Sequence, residues 1–117
     1  MSLYAFTAPI QPGKTEEYRK FVAELSGARK TDYESSRKNA GFHRESIFLQ
    51  KTPLGDMVVI VQEADSEQAA LDSLKSMKDP YSIWFFQKFK DLHGIDIVGS
   101  GMPSNELLLD YREDRQP

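Results

Sequence analysis

The stretch Met57–Val61 (MVVIV) is apolar at all five of its positions, and Leu3–Ile10 (LYAFTAPI) is apolar on both of its faces. A β-strand places successive side chains on opposite sides of its sheet, so a strand with one wet face alternates apolar with polar residues. These two segments therefore predict strands that are covered on both faces. The chain has enough helical sequence to cover one face of a sheet, and the simplest cover for the other is a second copy of the protein.

The sequence between these two strands predicts one long helix and the first strand of a hairpin. Apolar residues recur with helical spacing from Tyr18 onward, and we expect this helix to have a kink or a short break near Gly27 and to end at Gly41. Phe42–Lys51 (FHRESIFLQK) then predicts a strand. A turn that contains proline and glycine joins it to Met57–Gln62, which predicts an antiparallel hairpin.

The second half of the sequence predicts two short helices and a last strand. Asp65 is the expected N-cap of the first helix, and Asp79, followed by proline, begins a second helix that ends before Gly94. Ile95–Pro103 predicts a connection that holds a short extended piece. Glu106–Tyr111 (ELLLDY) predicts the last strand.

The whole order is β-α-β-β-α-(α)-β, which is typical of a ferredoxin-like α+β fold with an antiparallel sheet and its helices on one face. A chain of 117 residues is long enough for one hydrophobic core, so residues 1–117 are expected to form a single domain. Helices on one face leave the other face bare. Two such sheets packed face to face across a two-fold axis would form a dimeric α+β barrel.

Charge and composition exclude several classes of function. The net charge is −3 and the isoelectric point is near 5.4, so neither nucleic acid nor a membrane surface is an expected partner. The basic pairs Arg29-Lys30 and Arg37-Lys38 are expected on a solvated helix face. The chain has no cysteine, which excludes disulfides and thiol chemistry. No apolar run approaches the roughly 20 residues of a membrane helix, and the N-terminus lacks a secretory pattern, so we expect a cytoplasmic protein.

Several segments together resemble a known family. They are Ala8–Phe21 (APIQPGKTEEYRKF), Tyr33–Ser46 (YESSRKNAGFHRES), Leu49–Met57 (LQKTPLGDM), Asp79–Phe85 (DPYSIWF), His93–Asp96 (HGID) and Glu106–Tyr111 (ELLLDY). In these segments the chain resembles a small, uncharacterised bacterial family in the dimeric α+β barrel superfamily, related in fold to antibiotic-biosynthesis monooxygenases. The resemblance implies cofactor-free oxygenation, isomerisation or ligand binding without catalysis as candidate functions. The haem-degrading branch of that fold uses an Asn on its first strand, which Leu3–Ile10 lacks, and we expect no cofactor.

Candidate binding residues come from the second strand and from the last long helix. Alternation puts Arg44, Phe48 and Gln50 on one side of the strand. A guanidinium among apolar side chains needs a carboxylate or an anionic ligand, so Arg44 is expected to hold an anionic or enolic oxygen. Trp84 is expected to stack on a flat substrate. The alternatives are that Arg44 pairs with a carboxylate of a neighbouring strand or of the dimer mate, and that Trp84 only packs in the core.

The two histidines are the residues to consider for catalysis and metal binding. His93 is the candidate general base, because imidazole titrates near neutral pH. The alternative is structural, since His93 closes a helix whose negative end favours it. His43 has no second histidine or thiol near it in sequence, so no metal site is predicted.

Two main functions remain open at the level of sequence. The first is a homodimer that binds a small apolar or aromatic molecule in the barrel interior, or transforms it without a metal in a monooxygenase-like or isomerase-like reaction. The second is a non-catalytic homodimeric structural or ligand-sensing module with a filled barrel. Haem binding through a histidine is a third alternative. A cavity of about a few hundred Å³ lined by Arg44 and aromatic residues would favour the first.

Overall fold

The computed structural model describes residues 2–100 and 105–113 of the chain. Within these residues the elements follow one another as β1 (Ser2–Pro9), α1 (Thr15–Leu25), α2 (Lys30–Ala40), β2 (Phe42–Thr52), β3 (Gly55–Ala64), α3 (Glu67–Ser76), α4 (Pro80–His93) and α5 (Ile97–Ser100). The fold is α+β, as the sequence predicts.

The three strands form one antiparallel sheet in the order β1-β3-β2. The predicted hairpin of β2 and β3 is confirmed. The apolar stretch Met57–Val61 lies in β3, which is the central strand of the sheet. His43 occupies a β-bulge between Phe42, which lies opposite Ala64, and Arg44, which lies opposite Glu63. This arrangement is compatible with a ferredoxin-like fold.

The helices cover one face of the sheet. Alternate residues of each strand are buried against them, and the resulting core contains Phe6, Ala8, Ile10, Tyr18, Phe21, Leu25, Val58, Ile60, Tyr81, Phe85, Phe89, Leu92 and Ile97. None of the helices in the described residues lies on the other face of the sheet, and we call it the open face. It is formed by Leu3, Ala5, Thr7 and Pro9 of β1, Arg44, Ser46, Phe48 and Gln50 of β2, and Met57, Val59, Val61 and Glu63 of β3.

The long first helix is broken into two. α1 ends at Leu25 and α2 begins at Lys30, so of the predicted kink or short break near Gly27 the structure has the short break. A Cβ added to Gly27 would lie 2.9 Å from the carbonyl oxygen of Ala23, so this close turn of the backbone requires glycine. The second helix ends at Gly41 in the left-handed conformation, as predicted.

The ends of α4 follow the prediction, but the start of α3 does not. Asp79 accepts a hydrogen bond from the backbone N–H of Ser82 at 3.1 Å, and Gly94 closes α4 with a φ of 73°. The N-cap of α3 is Ser66, whose hydroxyl accepts from Ala69 N at 3.2 Å, and the assignment to Asp65 was wrong. The Asp65 carboxylate instead lies 3.3 Å from His43 Nε2.

The predicted last strand is not formed in the single chain. Residues 105–113 have neither helix nor strand, although the Asn105 amide donates a hydrogen bond to the Ala5 carbonyl oxygen of β1. The preceding connection forms the short helix α5 rather than an extended piece, and its residues 101–103 lie outside the described residues.

Candidate functional site

A buried carboxylate lies between the helices and the sheet. Glu45 accepts hydrogen bonds from Tyr33 Oη at 2.5 Å, from Arg37 Nε at 3.0 Å and from Gln62 Nε2 at 2.7 Å. The side chains of Arg37 and Glu45 are 9% and 7% exposed, so this ion pair is almost completely removed from water. We call Tyr33, Arg37, Glu45 and Gln62 the buried cluster.

Local structure brings the members of the buried cluster together. Tyr33 and Arg37 are four residues apart on α2 and therefore share one face of that helix. Glu45 and Gln62 lie opposite each other in the antiparallel pairing of β2 with β3. The Arg37 guanidinium also lies over the rings of Tyr33 and Phe85, at 4.8 and 4.6 Å from their centroids. The cluster therefore ties α2 to the sheet.

The charges of the buried cluster stabilise each other against burial. Burial acts to raise the pKa of Glu45, but the Arg37 charge and the three hydrogen bonds outweigh it, and the net pKa lies below its usual value. Burial acts to lower the pKa of Arg37, and the neighbouring Glu45 charge reverses that effect. Burial and the Glu45 charge both raise the pKa of the Tyr33 hydroxyl. At neutral pH the cluster is an ionised pair with a neutral tyrosine, which makes Glu45 a poor general base.

The core beside the buried cluster is nearly filled. A cavity of about 30 Å³ lies between Glu45, Gln62 and the rings of Phe21 and Phe85. That volume is enough for one or two water molecules and far too small for an aromatic ligand. Gln62 Oε1 is buried and has no hydrogen-bond partner within the described chain, so a water in this cavity would find an acceptor there.

The sequence interpretation missed the buried cluster. Arg37 was expected on a solvated helix face, and that expectation was wrong because its guanidinium is paired with Glu45 in the core. A signal was present in β2, since strict alternation puts Glu45 on the same side as Ile47 and Leu49. A carboxylate on the apolar side of a strand requires a buried partner.

Three of the predicted binding residues share the open face. Arg44, Phe48 and Gln50 are all exposed there, and the Phe48 side chain retains 57% of its accessible surface. Arg44 Nη1 lies 3.8 Å from a carboxylate oxygen of Glu63 on the adjacent strand, and the Arg44 side chain is 70% exposed. At this distance and exposure the ion pair is weak, so Arg44 keeps donors for another partner.

Trp84 lies on the other side of the sheet from these three residues. It is on α4, half-buried against Phe21 and Tyr81, with ring centroids 5.6 and 5.7 Å away. The Arg29 guanidinium stacks on the indole at 3.8 Å from the ring centroid. The structure therefore does not bring Trp84 together with Arg44, Phe48 and Gln50.

His93 is buried at the end of α4. Its Nδ1 lies 2.7 Å from the Pro9 carbonyl oxygen, which can only accept, so Nδ1 carries the proton and Nε2 carries the lone pair. Nε2 has no hydrogen-bond partner within the described residues, and the rings of Tyr18 and Phe89 pack against the imidazole. Burial lowers the pKa of His93, although the bond to Pro9 opposes this effect. The position suits a neutral core histidine and gives a substrate no access to Nε2.

Residues 2–100 and 105–113 contain neither a cluster of metal ligands nor a membrane-spanning helix. No group of three or more histidine or acidic side chains lies close enough together there to hold a metal ion. In the same part of the chain, none of the helices combines the length and the apolar character needed to cross a membrane.

Comparison with known proteins adds one finding. A family model described as a family of unknown function (DUF6176) matches residues 1–93, the portion of the chain from β1 to the end of α4. Neither the curated proteins nor the solved structures contain a match to this chain. The match agrees with the predicted uncharacterised family, and the relation to monooxygenase-like proteins stays a prediction.

Proposed function

Because the chain belongs to the DUF6176 family of unknown function, we propose its function from the geometry of its sheet: the protein is a homodimeric module whose two sheets pack open face to open face. The uncovered apolar surface of the open face carries this proposal. All three strands contribute to it, through Leu3 and Ala5, through Phe48, and through Val59 and Val61. An apolar surface on every strand of a sheet favours a protein partner over water.

A second copy of the chain suits this surface for two reasons. Two sheets pack face to face about 10 Å apart with their side chains interdigitated. Each copy would present the same apolar residues of its open face to the other. A two-fold axis places one patch against its own duplicate, so no further protein is needed to cover it. The result would be the dimeric barrel that the order of elements predicts.

The filled core favours the non-catalytic form of this module. Arg44 lies 3.8 Å from Glu63, too far and too exposed for a strong ion pair, and in this form a carboxylate of the dimer mate would complete its pairing. On the covered side, the small cavity beside Glu45 leaves no room for a substrate. In this form the protein acts as a structural or ligand-sensing dimer whose polar residues are paired within the protein.

Ligand binding between the two sheets is the second candidate, and it is favoured by the shared position of Arg44, Phe48 and Gln50. In a face-to-face dimer, a guanidinium, an aromatic ring and an amide from each copy would line the same space. That combination suits a small aromatic anion, held by a charge-assisted hydrogen bond and by stacking. Trp84 lies outside this space, and a transformation of the ligand would have to proceed without it.

Sedimentation velocity on the full chain and on a Val59→Lys variant tests the dimer. Val59 lies on the open face in the central strand, so a lysine there would place a charge inside the interface. We expect a dimer for the native chain and a folded monomer for the variant. Leu54→Lys is the matched control, because Leu54 lies fully exposed in the turn between β2 and β3. A native chain that stays monomeric at high micromolar concentration would overturn the proposal.

A further inference from the structure

A buried acceptor on the covered side of the sheet has no hydrogen-bond partner. Gln62 is 2% exposed, and its Oε1 atom accepts no hydrogen bond within the described residues. The large majority of buried polar side-chain atoms in proteins are paired, because an unpaired acceptor in the core costs free energy. The Gln62 carbonyl oxygen therefore points to a donor that the described side chains do not provide.

Rotation of the amide by half a turn would not satisfy this oxygen. Gln62 Nε2 donates to Glu45 Oε2 at 2.7 Å, so the amide nitrogen faces the carboxylate. Exchanging the two amide atoms would break this bond and place the amide oxygen against a negatively charged oxygen, and both of these atoms can only accept. The bond to Glu45 thus determines that Oε1 is the amide atom in need of a donor.

The carboxylate beside Gln62 can accept one more hydrogen bond. Its two oxygens offer about four lone-pair directions. Oε1 of Glu45 accepts from Tyr33 and Arg37, and Oε2 accepts from Gln62. One lone pair of Glu45 Oε2 is left, on the oxygen that lies next to the Gln62 amide.

Both acceptors border the same cavity. The cavity of about 30 Å³ is lined by Arg37, Glu45 and Gln62 together with apolar and aromatic side chains. Its volume exceeds the roughly 10–15 Å³ that one water molecule needs. Arg37 retains donors, because its hydrogen bonds to Glu45 and Ser36 use two of its five N–H groups. The cavity therefore combines space for a water with two acceptors and a donor.

We infer that this cavity is a binding site for one internal water molecule, which donates to Gln62 Oε1 and Glu45 Oε2 and accepts from Arg37. Buried waters typically make about three hydrogen bonds, which is the number offered here. The water completes the hydrogen bonding of the buried cluster, and Gln62 holds it with one amide atom while holding Glu45 with the other. The site lies in the core of a single chain, so the inference does not depend on the proposed dimer.

The packing around the cavity predicts that this water exchanges slowly with the solvent. Phe21, Leu25, Phe85 and Phe89 line the cavity, and each of them is 7% exposed or less. A water that leaves between these side chains must wait for packed elements to move apart, which takes microseconds or longer. Its residence time should therefore exceed the nanoseconds in which a protein of this size tumbles.

Crystallography of the native full chain, at a resolution that shows ordered waters, tests the site directly. We expect one water peak at hydrogen-bond distance, about 2.5–3.0 Å, from both Gln62 Oε1 and Glu45 Oε2. A cavity without a water peak would overturn the inference. A side chain that donates directly to Gln62 Oε1 would overturn it as well, since the acceptor would then need no water.

Magnetic relaxation dispersion of the water signal tests the same site in solution. Gln62→Met has a side chain of similar length without the amide, and it should lose the contribution of one long-lived water that the native protein shows. Gln87→Met, at an exposed position on α4, is the matched control and should retain that contribution. Equal contributions from the native protein and from folded Gln62→Met would contradict the site. The crystallographic test uses the native chain, so it decides the inference even if Gln62→Met does not fold.

Discussion

Arg37 on α2 donates a hydrogen bond to Glu45 on β2 across 3.0 Å, and each side chain is exposed over less than a tenth of its surface. This pair is a buried polar link between the helical layer and the sheet. Because both charges are buried, each depends on the other for compensation, and removal of either one leaves the other without a partner. Removing one partner should therefore destabilise the protein by more than the intact pair stabilises it.

Substitution of one member of this pair is expected to destabilise the protein strongly. Glu45→Gln leaves the Arg37 guanidinium buried without a counter-charge, and we expect a loss of about 3–5 kcal/mol in the free energy of unfolding by urea denaturation. Arg37→Met combined with Glu45→Leu should lose less than the sum of the single variants, because no buried charge remains. Arg44→Met, at the exposed pair with Glu63, is the control and should change stability by less than about 1 kcal/mol. Equal effects of Glu45→Gln and Arg44→Met would contradict this account.

The stability of the protein is expected to depend on His93 at mildly acidic pH. Burial lowers the pKa of His93 below 6.5 in the folded state, so the unfolded chain binds the proton more readily. Stability should therefore be fully present above pH 6.5 and fall as the pH decreases below it. Unfolding measured between pH 7 and pH 5 should show this slope in the native protein and a smaller slope in His93→Gln. A slope that is identical in both proteins would show that His93 is not the group responsible.

Glu45 is expected to govern stability at lower pH. Its pKa is lowered from 4.5 in the folded state, so the stabilisation it provides is present above that value and lost as the pH falls through the folded-state pKa. The Glu45→Leu, Arg37→Met double variant lacks this group. It should lose less stability than the native protein when urea denaturation is compared at neutral pH and below pH 4. Parallel pH curves for the two proteins would contradict the assignment.

Ligand binding on the open face can be tested through Arg44. If the second candidate function holds, aromatic carboxylates should raise the melting temperature of the native dimer, because they bind the folded state alone. Arg44→Ala should abolish the shift, since it removes the guanidinium that would hold the anion. Lys51→Ala is the control, because Lys51 lies on the same strand but pairs with Asp56 at 3.5 Å. A shift that survives in Arg44→Ala would remove Arg44 from the site.

The start of α3 provides a test of local capping. Ser66→Ala removes the side-chain acceptor for the backbone N–H of Ala69, and we expect a loss of about 1 kcal/mol in the free energy of unfolding. Asp65→Ala removes a side chain that lies outside the helix beside His43, and stability should be unchanged. The opposite ranking in thermal or urea unfolding would restore Asp65 as the cap.

The elements with strong local signals were the ones that sequence analysis predicted well. Alternation located the hairpin, and helical periodicity located α4. The capping side chain of Asp79 and the left-handed backbone of Gly94 set the two ends of that helix. The assignment of the α3 N-cap to Asp65 was wrong because the next residue, Ser66, is an equally good cap and the Asp65 carboxylate contacts His43 instead. Local chemistry alone cannot decide between two adjacent caps.

The candidate site was harder to predict because its residues meet through tertiary structure. Alternation correctly grouped Arg44 with Phe48, but it could not show that Trp84 lies beyond the sheet from them. Arginine is usually a surface residue, and the burial of Arg37 depends on the carboxylate of Glu45, eight positions later on another element. The prediction of a last strand depended on the composition of Glu106–Tyr111 alone, and this stretch has no strand pairing in the structure.

The position of β3 between the other two strands has a consequence for synthesis on the ribosome. β1 is made first, yet every one of its pairing partners lies in β3, from Met57 opposite Pro9 to Ala64 opposite Ser2. The N-terminal strand must therefore wait, unpaired and apolar, for several seconds of translation at about 5–20 residues per second. The hairpin of β2 and β3 can close as soon as it leaves the exit tunnel, and β1 then joins an edge that already exists. Nascent chains stalled before Ala64 should accordingly be those that most need a chaperone.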